Sequence, residues 1–260
     1  MQSKDRFWLL GAGVGVLLVG AGAAVYYYQR ERVPEAPPPV AVTPEPAPVE
    51  TTPPQPVAPP QAAPSVPLPP LDASDADVRG GLTEVFGRDA IAQYLVPERI
   101  VRNIVVTIDN LPREKAAVQQ RPVKPTAGQF LTSGPEDGRV LAPENYTRYA
   151  PLVAIVKTVD AKTLVALYRG LQPLFQEAYE DLGHPNALFN ARLLEVIDHL
   201  LQTPDVAAPI RLVQPSVYYR YADPRVEALS SGQKLLIRMG AENAGAVKAK
   251  LREIREALLR

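Results

Sequence analysis

The stretch that sets the fold class is residues 160–181, DAKTLVALYRGLQPLFQEAYED. Leu164, Leu167 with Tyr168, Leu171, Leu174 with Phe175, and Ala178 recur at three- and four-residue steps, the spacing that lines one side of a helix. The helix opens at Asp160, and Gly183 followed by Pro185 ends it. So continuous an apolar face needs other helices to cover it, since a large apolar side chain gains ~1.5–3 kcal/mol on leaving water. The flanking sequence supplies them. Leu193/Leu194, Ile197 and Leu200/Leu201 mark a helix that ends before Pro204. A last helix runs from about Glu242, with Val247, Leu251, Ile254 and Leu258 inward and mixed Lys, Arg and Glu outward.

Upstream, Ser74 with Asp77 resembles a capping box, and Val78, Leu82 and Val85 follow at i, i+4, i+7 before Gly87. Pro97 suits a first helical position, with Ile100/Val101, Ile104 and Ile108 behind it and Pro112 beyond. The β-branched residues 104–108 leave a strand open there. Residues 210–221 alternate in part, Val217, Tyr219 and Tyr221 against Tyr218 and Arg220, which suggests a short strand or an extended packing segment. No 20–50-residue repeat is evident. Residues 72–260 are therefore expected to be mainly α, one compact helical domain with at most a short strand.

Residues 7–28, FWLLGAGVGVLLVGAGAAVYYY, contain no charge. As a helix they reach about 33 Å at 1.5 Å per residue, against a bilayer core of ~30 Å. Phe7 and Trp8 at one end and Tyr26, Tyr27 and Tyr28 at the other suit the two headgroup layers. A dinucleotide loop is excluded, because G-x-G-x-x-G fails from Gly11 (Val16) and from Gly13 (Leu18). A cleaved signal peptide is the alternative, with Ala21-Gly22-Ala23 as its small-x-small site, but the apolar run is long for one. Gly11 and Gly15 form a G-x-x-x-G step through which two such helices would dimerise weakly. Residues 1–6 are then a short cytoplasmic tail, 7–28 a transmembrane helix, and 29–71 a disordered proline-rich spacer. Between 34 and 70, 16 of 37 residues are proline, which removes amide donors and favours an extended chain.

Composition removes several classes of function. Basic and acidic residues balance at 28 each, so whole-chain charge gives no footing for nucleic acid. There is no cysteine, hence no disulfide, thiolate nucleophile, iron–sulfur cluster or lipidated N-terminal cysteine. The two histidines, His184 and His199, sit in neither H-E-x-x-H nor beside a G-x-S-x-G, and read as structural or solvated. Asp72, Asp75 and Asp77 fail the calcium-loop spacing and read as helix caps. Asp109-Asn110 reads as a helix end, with a catalytic aspartate as the alternative. Neither a metal site nor a cofactor is expected.

The runs YLVPERIVRNIVVTIDNLPRE (94–114), NYTRYAPLV (145–153), LYRGLQPLFQEAYEDLGHPN (167–186) and IRLVQPSVYYRYADP with GQKLLIRMGAEN (210–224 and 232–243) resemble the bacterial family of domain of unknown function 3014. That resemblance implies an envelope-associated helical domain in a Gram-negative bacterium and carries no activity with it.

Two segments are binding candidates. Residues 112–142 form a long stretch with little periodicity, and Arg113, Lys115, Arg121 and Lys124 against Glu114 make its first half locally basic, suited to phosphate or carboxylate groups. The tyrosines Tyr146, Tyr149, Tyr218, Tyr219 and Tyr221 suit stacking on sugars or anchoring a partner, or else closing the core. The resulting expectation is an inner-membrane protein, single-pass, with a periplasmic domain that binds an envelope protein or peptidoglycan. A periplasmic hydrolase is the alternative.

Overall fold

A computed structural model describes residues 68–115 and 118–260. The expected membrane helix, tail and spacer lie outside these residues, except for the spacer's last four, 68–71. Ten α-helices occur among the described residues: α1 (Asp75–Phe86), α2 (Arg88–Tyr94), α3 (Ile100–Asn110), α4 (Glu144–Thr147), α5 (Ala150–Thr158), α6 (Ala161–Asp181), α7 (Phe189–Leu201), α8 (Pro224–Glu227), α9 (Ser231–Arg238) and α10 (Ala241–Leu259). Four two-residue strands accompany them: β1 (Thr132–Ser133), β2 (Val140–Leu141), β3 (Leu212–Val213) and β4 (Arg220–Tyr221). The domain is mostly helical, as expected.

Residues 160–181 behave as their spacing requires. Asp160 accepts from the Thr163 amide at 2.7 Å and from its hydroxyl at 2.8 Å, which caps α6. Leu164, Tyr168, Leu171, Leu174, Phe175 and Ala178 are buried, and the helix ends just before Gly183, whose φ is +108°. Pro173 lies inside α6 on its exposed side, where the missing amide faces water rather than the core. The stripe packs against α3, α7 and α10. At its lower end Tyr168, Phe175 and Phe189 form a ring cluster with centroids 5.4–6.4 Å apart.

The β-branched run 104–108 is helical. Ile100, Ile104 and Ile108 fall on one side and Val101 and Val105 beside them, all buried, so α3 packs apolar surface toward α1, α6 and α7 at once. The starts of α3 and α1 each correct an expectation. Pro97 lies before α3, and Arg99, at φ +53°, is the cap residue. The capping group comes from another helix: the Asp75 carboxylate accepts from the Arg99 amide (2.7 Å) and the Ile100 amide (2.8 Å). Ser74 does not cap α1 with its side chain, because its hydroxyl donates to the Leu71 carbonyl instead.

The C-terminal end of α3 meets the start of α9. The Gly232 amide donates to the Leu111 carbonyl (3.0 Å) and the Ser231 amide to the Arg113 carbonyl (2.8 Å). Carbonyls at and just beyond the end of α3 thereby satisfy amides orphaned at the start of α9. A Cβ on Gly232 would lie 2.6 Å from the Leu200 side chain and 3.1 Å from the Leu111 carbonyl oxygen, so this close approach needs glycine.

Residues 210–221 form an antiparallel hairpin rather than one strand, with Leu212 opposite Tyr221 and Val213 opposite Arg220. A second pair sets Thr132 opposite Leu141 and Ser133 opposite Val140. A bridge between Val140 and Arg211, with Leu141 amide to Ile210 carbonyl (2.9 Å) and Leu212 amide to Arg139 carbonyl (2.8 Å), joins the two into a β1-β2-β3-β4 ribbon. Its inner side chains, Leu141, Leu212 and Tyr221, pack with Ile210, Val226 and Ile237 in a small core of their own. The larger core belongs to the helices.

Candidate binding face

The tyrosine candidates and the second half of the 112–142 segment meet at the ribbon, while the four basic candidates of its first half lie elsewhere. Tyr219 comes from the β3–β4 hairpin and Phe130 and Arg139 from the long 112–142 segment. The Tyr219 and Phe130 rings lie 5.9 Å apart, and Arg139 donates to the Tyr219 hydroxyl at 2.7 Å. Arg238 of α9 stands over both Phe130 (6.0 Å) and Tyr221 (5.9 Å). The aromatic set divides by depth. Tyr149 and Tyr221 are core residues whose phenols burial pushes above their ordinary value. Tyr146 is half-buried, with its ring beneath Gly240. Tyr218 is the exposed member, and Tyr219 lies between.

Arg148 organises the loop that leads into β1. Its guanidinium donates to the carbonyls of Ala127 (3.0 Å), Gly128 (2.9 Å) and Gln129 (2.9 Å) and to the Thr126 hydroxyl (3.3 Å). The planar fork of an arginine matches several acceptors at once, which an ammonium does not. At the opposite edge of the ribbon the Glu227 carboxylate accepts from the Tyr221 amide (2.9 Å), closing that side of β4. Lys234, buried below, donates to the Glu227 carbonyl (2.9 Å), and burial lowers its ammonium pKa.

The four basic residues of 113–124 are engaged separately. Arg113 pairs with Asp109 at 2.5 Å. Lys124 donates to the Ala92 carbonyl near the end of α2. Arg121 is partly buried, with one terminal nitrogen enclosed and without a hydrogen-bond partner, and burial lowers its pKa. Lys115 is exposed.

Asp109 is the centre of a second polar group. It is 2% exposed near the end of α3, and its carboxylate accepts from Arg192 Nε of α7 (3.0 Å) as well as from Arg113. Arg192 also donates to the Asp109 carbonyl (2.9 Å) and pairs with Glu195 (3.0 Å). His184, stacked on Tyr179 at 4.5 Å, has Nε2 3.9 Å from Asp109 Oδ2. The cluster ties α3, α7 and the α6–α7 turn together.

His199 meets a serine, Ser230, with Nε2 2.8 Å from Oγ. Ser230 is buried and its hydroxyl accepts from the Gln233 amide in a full capping box, while Gln233 donates to the His199 carbonyl. The pair therefore fixes the start of α9, and burial lowers the His199 pKa, with Arg192 adding to the effect and Glu195 opposing it. Among the described residues no cluster of three or more potential metal ligands occurs.

What the sequence reading missed is the outward side of the ribbon. Strands of two residues carry no alternation long enough to read, and β1 and β2 sit in a segment that lacks periodicity. The family model described as "Protein of unknown function (DUF3014)" matches residues 100–255, from the start of α3 to late in α10, and the chain belongs to that family. No curated protein and no solved structure matches it.

Proposed function

We propose that this family member is a membrane-anchored envelope module whose C-terminal domain binds an envelope protein or cell-wall glycan. In this reading residues 7–28 span the inner membrane with the N-terminus cytoplasmic, 29–71 form a disordered spacer, and 72–260 stand in the periplasm. The observation that carries it is a division of labour among side chains. Charged groups inside the domain, Asp109 with Arg192 and Lys234 with Glu227, hold elements together, while the ribbon presents an exposed surface of arginine, tyrosine and aliphatic side chains. That composition suits recognition. Among the described residues no helix is long and apolar enough to cross a membrane, so the anchor rests on residues 7–28 alone.

The full-length chain, extracted in mild detergent, is sedimented with purified peptidoglycan and, separately, used to capture envelope proteins. Retention in one of the two is expected, and failure in both removes the reading. Resistance to carbonate washing and activity of an alkaline-phosphatase fusion after Arg260 test the anchor and its orientation. The hydrolase alternative has one observation in its favour, the Ser230–His199 contact, against which stands the burial of that hydroxyl in a helix cap.

A further inference from the structure

Residues 118–124 lie against α3 and the end of α2. The Gln120 carbonyl accepts from the Thr107 hydroxyl (3.3 Å), and the Pro122 carbonyl accepts from the Val96 amide (2.8 Å). Two residues on, the Lys124 amide donates to the Tyr94 carbonyl (2.8 Å), and Val123 bridges Leu95. The backbone is therefore pinned on both sides of Arg121. The Arg121 side chain is half-buried, and one terminal nitrogen is enclosed without an acceptor. Among the described residues its guanidinium has neither an ion pair nor a hydrogen bond, and no charged neighbour of either sign acts on it. Other half-buried arginines are compensated. Arg102 pairs with Asp72 and Asp181, Arg192 with Asp109 and Glu195, and Arg148 donates to three carbonyls. No Asp or Glu occurs between Glu114 and Glu136, so the segment brings no carboxylate of its own.

We infer that Arg121 is the anchor of a carboxylate-binding site, in which a ligand carboxylate accepts from this guanidinium against residues 118–124. A guanidinium drawn out of water needs both acceptors and opposite charge. Water supplies an acceptor without the charge. A carboxylate supplies both, in two parallel N–H···O bonds. Charge count selects it over a phosphate monoester, which carries about −1.5 to −2 and asks for a second cation. None acts on Arg121. Of its basic neighbours in sequence, Arg113 is committed to Asp109 and Lys124 to the Ala92 carbonyl. The site lies apart from the ribbon and stands independently of what the ribbon binds.

The full-length protein in detergent micelles, with its arginines labelled with nitrogen-15, is titrated at pH 7.5 and constant ionic strength. Sodium acetate is the probe, beside inorganic phosphate and sodium chloride. The Arg121 Nε–H resonance is identified by its loss in Arg121→Lys. It should shift saturably with acetate, about tenfold or more weakly with phosphate, and not with chloride. In urea unfolding, acetate should raise the midpoint of the unmodified chain, because a ligand held by the folded state alone stabilises it. The rise should be smaller in Arg121→Lys, which keeps the charge but loses the fork, and absent in Arg121→Met.

A chloride response equal to that of acetate marks a counterion effect and overturns the inference. Phosphate bound as tightly as acetate overturns the choice of carboxylate. No shift with any salt leaves the enclosed nitrogen to water and overturns the site itself. An Arg121→Met chain that still gains stability from acetate places the anion elsewhere, with the same consequence. The titration of the unmodified chain decides the matter even where Arg121→Met fails to fold.

Discussion

Replacing Asp109 by alanine removes the acceptor shared by Arg192 and Arg113. Arg192 is the partner that matters, because its side chain is 19% exposed whereas that of Arg113 is 56% exposed and regains water. Removing one member of a buried pair typically costs 3–5 kcal/mol, through the charge left behind. Here Arg192 keeps Glu195 and the Asp109 carbonyl, both within 3.0 Å. The expected loss is therefore nearer ~2–3 kcal/mol. For a domain of this size that lowers the melting temperature by roughly 5–10 °C. Thermal and urea unfolding of Asp109→Ala, Arg192→Met and the double variant measure it. Arg192→Met removes the stranded charge, so the double variant should lose at least ~1 kcal/mol less than the sum of the singles. A single-variant loss under ~0.5 kcal/mol, or strict additivity, would refute the reasoning that Asp109 is held by a buried pair.

Gly240→Ala and Gly87→Ala compare two glycines with nearly equal φ, +81° and +86°. A Cβ on Gly240 meets the Tyr146 ring at 2.7 Å while one on Gly87 meets nothing, so urea unfolding should show about 1 kcal/mol for Gly87→Ala and ~1–3 kcal/mol more for Gly240→Ala. Burial depresses the His199 pKa, so the unfolded chain binds the proton more tightly. Stability from this group is complete above the unfolded value near 6.5 and falls as pH drops toward the folded one. Urea midpoints at pH 7.5 and pH 5.5 should show that slope, reduced in His199→Gln; an unchanged slope in that variant would count against it. Arg148→Lys keeps the charge but loses the fork, so residues 126–129 should exchange amide hydrogens at least tenfold faster while α6 protection holds.

Some of the domain was legible from residue spacing alone. The capped α6, and α7 and α10 after it, rest on regular apolar repeats and on stop signals such as Gly183, which act within a few residues. The start of α3 was not legible, since its cap is Asp75, 24 residues upstream of Arg99. The 104–108 run was ambiguous for a related reason: β-branched residues favour a strand locally, and burial against α1, α6 and α7 at once overrides that preference. The five tyrosines could not be sorted, because depth separates buried Tyr221 from exposed Tyr218 three positions earlier, and depth is a property of the fold.

Residue spacing and composition were enough to show that residues 72–260 are mainly helical, that cysteine is absent, and where three long helices run. These follow from local periodicity and composition. Tertiary structure alone decided the rest: that residues 130–142 pair with 210–221, that Asp109 joins two arginines, and that one side of a short ribbon faces solvent. Each depends on groups some 70 to 85 residues apart, or on strands only two residues long. No local pattern records such contacts, because their free energy exists only once the chain has closed on itself.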